Sequence, residues 1–156
     1  MTEKEFNELW NQLQKRKTKL IITQNDIDHV KLINLDYFDH DECVIIQNLH
    51  KELLRLSQRN NDSNEVGILV NLCNWSHTVI YGVENGITLR NVPYAKELIT
   101  TAPKNSLLFF HNHPNCSIFS EKDLESFLTS DSILMISIVC NNGRFKALLL
   151  TSRGDS

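Results

Sequence analysis

A mixed α+β (mixed α/β) fold is predicted by three features of the sequence. One long segment carries an apolar stripe at helical spacing, several short apolar segments have strand character, and the two kinds alternate along the chain. With 156 residues and 41% hydrophobic side chains, the chain is long enough to build one ordinary core and a modest extension.

Taken in order, residues 3–14 place Phe6, Leu9, Trp10 and Leu13 at helical spacing, which predicts an amphipathic lead helix ended by the basic cluster at residues 15–19. Residues 19–38 mix short apolar runs with Asn and Asp and show no clean period. From Asp41 onward, Val44, Ile45, Leu49, Leu53 and Leu56 form a helical stripe, with acidic residues in its first turn and arginine in its last. The polar run at residues 59–64 reads as a loop. Residues 66–72 and 78–83 then read as strands, and Asn85-Gly86 predicts a tight turn onto a third at residues 87–92. A short helix over residues 94–100 follows Pro93. Leu107, Leu108, Phe109 and Phe110 suit a central strand buried on both faces. Residues 120–128 read as a helix, and residues 133–140 and 144–150 pair as a hairpin across Asn142-Gly143. The expected organisation is an N-terminal helical extension over residues 1–40 and one domain over residues 41–156.

The formal net charge of −3 offers no broad cationic surface for phosphate backbones, which argues against nucleic acid as a partner. No segment approaches the ~20 apolar residues that span a bilayer, so no membrane association is expected. Cys43, Cys73, Cys116 and Cys140 lie far apart without a C-x-x-C pair, which fits reduced thiols in a cytoplasmic protein.

The chemistry is concentrated in His111-Asn112-His113-Pro114. Two histidines at i and i+2 on an extended chain face the same way, so both imidazoles can reach one ion about 2 Å away. Pro114 then stops the ladder. Asp123, in the first turn of the following helix, supplies a carboxylate oxygen. Three protein ligands leave the fourth tetrahedral position to water, as in a catalytic zinc site. Each half also has a plainer explanation: an H-x-H on a strand is often incidental, and Ser120-x-x-Asp123 has the form of a helix capping box. Cys116, three residues after His113, is either a further metal ligand or a loop cysteine. His29, His40, His50 and His77 have no ligand spacing and read as surface or satisfied core residues, and Trp75 and Tyr81 as packing.

Taken together, His111-x-His113-Pro114, Ser120-x-x-Asp123 and an early glutamate, Glu65, resemble the JAMM motif of the JAB/MPN metallopeptidase family. The resemblance spans about residues 41–151. Among relatives it is most like the bacterial JAB and RadC-like proteins, which often carry His-Asn-His-Pro. It implies a cytidine-deaminase-like central sheet flanked by helices, with one Zn2+ held by His111, His113 and Asp123. In that setting Glu65 is the general base and acid, although taken alone it also has the plainer reading of a solvated residue at a strand end, and Ser120 donates to the oxyanion. The loop from Pro114 to Ser120 is one residue shorter than is usual in the family, and Phe119 stands where a proline often precedes the serine, a change that bears on the placement of Ser120.

The resemblance implies a zinc metallohydrolase that cuts an amide bond in a protein or peptide substrate, including a ubiquitin-like conjugate. Two alternatives stand beside it: a non-catalytic MPN-type scaffold for protein partners, and a RadC-like DNA-associated protein, which the net charge disfavours. His111-Asn112-His113 is not an HNH nuclease motif, whose three residues come from separate elements.

Overall fold

The computed structural model describes residues 1–7, 19–82, 92–117 and 129–149, the last four of these as backbone. The chain enters as a helical turn over residues 3–7, whose start is closed by Thr2 and Glu5 bonding each other's backbone N–H groups. The remainder of the predicted lead helix lies outside the described residues. A short helix, α1 (Gln24–Asp28), occupies the region where the sequence has no clean period, and a capping box of Thr23 and Asp26 closes its first turn.

The long helix α2 (His40–Asn60) starts on a second capping box, Asp39 with Glu42, and runs 21 residues, into the stretch expected to be loop. Its buried face is Cys43, Ile46, Leu49, His50, Leu53, Leu54 and Ser57. That corrects the stripe read from the sequence. Leu49 and Leu53 belong to it, but Ile45 is exposed and Val44 and Leu56 are only half-buried. An apolar count passes over the cysteine, histidine and serine that complete the inner face, and so rotates the stripe around the helix axis.

Among the described residues, five strands form one mixed sheet in the order β2-β1-β3-β4-β5: β1 (Val66–Asn71), β2 (Ser76–Tyr81), β3 (Leu107–His113), β4 (Ile133–Cys140) and β5 (Phe145–Leu149). β1 is antiparallel to both β2 and β3, β4 is parallel to β3, and β5 returns antiparallel to β4. The second strand starts two residues earlier than expected because the tight turn after β1, in which the Trp75 N–H donates to the Asn71 carbonyl, brings Ser76 directly opposite Asn71. The expected turn at Asn85-Gly86 and the strand at residues 87–92 fall outside the described residues, apart from Val92, which caps helix α3 (Pro93–Thr101). The Asn142-Gly143 hairpin is present. Gly143 has φ +89, and a Cβ there would stand 2.6 Å from the Asp26 carbonyl oxygen, so the turn needs glycine on two counts.

Alternation along β3 divides the interior into two layers. Leu108 and Phe110 pack with the buried face of α2 and with Val66, Ile68 and Val70 of β1. Leu107 and Phe109 face the other way, with Leu69, Ile136 and Ala95 of α3. Ile22, Ile27, Val30 and Phe38 join the α2 layer, so the chain before residue 41 helps to build the main core. Trp75 packs against this layer, its ring edge-on to Phe38 at 6.2 Å. Tyr81 does not pack as expected: its ring is exposed at the end of β2, and its hydroxyl accepts a hydrogen bond from the Asn60 side chain.

His50 is a satisfied core residue. It lies between the rings of Phe110 and Phe145, at centroid distances of 4.6 and 4.7 Å, with Nε2 2.8 Å from the Ser137 hydroxyl. Burial pushes its pKa down from 6.5 to about 3. Between these values the unfolded chain binds a proton that the native state refuses, so stability falls as pH drops below about 6.5. This one group should remove about 2 kcal/mol between pH 7.5 and pH 5. Urea unfolding at the two pH values is expected to show that much less pH dependence in His50→Gln than in the parent chain; equal dependence would show that His50 is not the neutral buried group.

Candidate metal centre

The sequence places the histidines on extended chain at the end of an apolar strand, with Pro114 stopping the ladder, and β3 runs through both of them to His113. His111 pairs with Gly67 of β1 and Ile138 of β4, and His113 pairs with Cys140. Pairing with β1 ends at His111, and pairing with β4 keeps the backbone extended through His113. All seven residues of β3 are buried. His111 and His113 share the face of Phe109, and the His111 ring stacks on Phe109 at 5.0 Å and 16°. Their Nε2 atoms are 3.0 Å apart.

Glu65 immediately precedes β1. Because β1 and β3 run antiparallel, the start of one lies beside the end of the other, and Glu65 meets the two histidines there. Glu65, His111 and His113 each offer one ligand atom, and these atoms all lie within 4.8 Å of one another, so the group can hold a metal ion. The donor geometry fits such an ion: two nitrogens each about 2.0–2.1 Å from one zinc at the tetrahedral angle would stand ~3.3 Å apart. On the far side of its ring, His113 Nδ1 lies 2.9 Å from the Ser117 carbonyl oxygen and 3.0 Å from its hydroxyl. A carbonyl at that distance demands a proton on Nδ1, which leaves Nε2 as the lone-pair donor facing His111 and Glu65.

Asp123 and Ser120, the third expected ligand and the oxyanion donor, lie outside the described residues. Cys116 is half-buried in the turn after β3, where its N–H donates to the His113 carbonyl at 3.0 Å. It is not a member of the group formed by Glu65 and the two histidines.

Sequence reasoning missed the residue between the histidines. Asn112 points to the opposite face of the sheet, towards α2, and is fully buried. Its Oδ1 accepts the Val66 N–H at 2.7 Å. Its Nδ2 donates to Asn141 Oδ1 at 2.8 Å and lies 3.3 Å from both Ser57 Oγ and the Asn64 carbonyl. Asn141 in turn donates to the carbonyls of Leu20 and Ser63. The available signal was the alternation of β3, which sends an amide into an apolar layer where it must find partners.

Comparisons with protein-family models, with curated proteins and with solved structures yield no match.

A site of this kind should be visible in the stability of the chain. Zinc at 100 times its dissociation constant is expected to stabilise the protein by about 2.7 kcal/mol, read as a rise in Tm. His111→Ala and His113→Ala should each abolish that rise. A rise of the same size in both variants would place the ion elsewhere.

Proposed function

We propose that this chain is a zinc-dependent hydrolase of the JAB/MPN type, with the deaminase-like sheet of that family, and that it cleaves an amide bond in a protein or peptide substrate. The observation that carries the reading is the meeting of Glu65 with His111 and His113, from two neighbouring strands, at one point. The sequence motif that includes Ser120 and Asp123 supports it, with Asp123 completing the ligand set.

Zinc bound there would supply a water of pKa near 7 and a Lewis acid for the scissile carbonyl. Glu65 takes the proton of the attacking water and returns it to the departing amine, a role open to a carboxylate beside the reacting atoms. His113, oriented through Ser117, keeps its lone pair on the metal side. Ser120 donates a hydrogen bond to the developing oxyanion, a contribution of about 3 kcal/mol in comparable sites. A ubiquitin-like C-terminal tail or a small peptide conjugate fits this chemistry.

The zinc-loaded chain is expected to cleave quenched-fluorescent peptides or an isopeptide-linked ubiquitin-like fusion, with activity lost in 1,10-phenanthroline. Glu65→Gln should keep zinc and lower kcat by about 10²–10⁴-fold. A full rate in that variant would remove Glu65 from the mechanism. Zinc uptake without cleavage of either substrate would favour the scaffold reading.

A further inference from the structure

We infer that Asn112 is the positioning residue for Glu65: one buried side-chain amide holds both peptide groups that flank the glutamate and ties them to the strand that carries the metal-binding histidines. The functional half of this inference rests on the hydrolase reading, which gives Glu65 its task; the contacts themselves do not.

Glu65 lies between two peptide units. The carbonyl of the first belongs to Asn64 and is 3.3 Å from Asn112 Nδ2, while the N–H of the second belongs to Val66 and donates to Asn112 Oδ1 at 2.7 Å. Two anchors on either side of one Cα fix the direction of its Cα–Cβ bond, and with it the arc that the carboxylate can sweep. The remaining carbonyl, that of Glu65 itself, accepts from the Gly82 N–H and from the Asn61 side chain, both at 2.9 Å. Ser57 Oγ donates to the Asn64 carbonyl from α2.

The orientation of the Asn112 amide is determined. Val66 N–H requires an acceptor and Asn141 Oδ1 requires a donor, so oxygen and nitrogen cannot exchange places. Asparagine suits the position because it offers an acceptor and two donors at one end of a short side chain. Aspartate lacks the donors and would bring an unpaired charge into a buried layer. Because Asn112 lies between His111 and His113 on the same strand, the backbone that fixes the metal ligands also fixes the clamp. The separation of carboxylate from imidazoles is thus set by β3 and one amide, and a shift of about 1 Å there is enough to cost about 10²-fold in rate.

The test uses the full chain loaded with Co2+, whose visible bands report the groups around the ion, together with the amide-cleavage assay. Glu65→Gln is expected to change the Co2+ spectrum. Asn112→Ala should still bind one Co2+, reproduce that spectral change, and lower kcat at least tenfold with KM unchanged. In the Glu65→Gln background, Asn112→Ala should add less than twofold, since residues acting through one group are not additive. A parent-like Co2+ spectrum in Asn112→Ala, a parent-like spectrum in Glu65→Gln, or an equal fold-loss in both backgrounds would each overturn the inference. If circular dichroism shows that Asn112→Ala does not fold, Ser57→Ala, which removes the donor to Asn64, should shift the spectrum in the same direction by less, and no shift overturns it. A parent chain that binds Co2+ without cleaving substrate removes the hydrolase reading alone, because the spectral comparison needs no turnover. A parent chain that takes up no Co2+ removes both.

Discussion

Strand β3 is buried along its whole length, and this constraint governs the rest of the molecule. Four of its residues are apolar and need only packing. The other three, His111, Asn112 and His113, carry polar groups that cost roughly 1–3 kcal/mol each if taken out of water without partners. The fold must therefore supply partners on both faces of one short stretch. It brings Glu65 and Ser117 to the histidine face and Ser57, Asn64, Val66 and Asn141 to the asparagine face.

The long helix α2 answers the same demand. Its inner face is not purely apolar: Ser57 lies among the partners of Asn112, and His50 meets Ser137 of β4 one layer further in. These two buried polar residues of the helix each meet a polar residue of the sheet, which fixes how helix and sheet seat. An apolar helix could slide by a turn at modest loss, whereas this one would strand an amide and an imidazole in the core. The segment before α1 is held by the same groups. The Leu20 N–H donates to the Pro114 carbonyl, Asn141 donates to the Leu20 carbonyl, and Ser63 Oγ accepts the Ile22 N–H. Residues 20–22 therefore lie beside both loops that border the group of Glu65, His111 and His113.

The parts of this arrangement legible in the sequence were those with a period or a spacing. The central strand, the last hairpin with its Asn142-Gly143 turn, the helix after Pro93 and the shared face of His111 and His113 follow from alternation, turn chemistry and residue order. The inner face of α2 was legible only in part, because Cys43, His50 and Ser57 take core positions on account of what they meet across the interface, and no single-segment pattern encodes that. The same holds for Asn141, whose partners at Leu20 and Ser63 are remote in sequence. Glu65 is marked in the sequence only by the resemblance; its own surroundings distinguish it from a solvated residue at a strand end only once β1 is known to lie against β3.

Register connects these observations. Gly67 of β1 stands opposite His111, and a slip of one residue would turn both histidines towards α2 and Asn112 towards α3. Nothing local to β3 forbids that, since its residues are buried on either side. The slip is blocked from a distance, by the two apolar layers that sort Leu108 and Phe110 from Leu107 and Phe109, and by the Val66 N–H that Asn112 must accept. The contact that holds the glutamate in place thus also holds the histidines to their face. For that reason the residue between the two histidines cannot be regarded as a spacer: the strand that presents them depends on it for its register, and the glutamate depends on it for its distance from them.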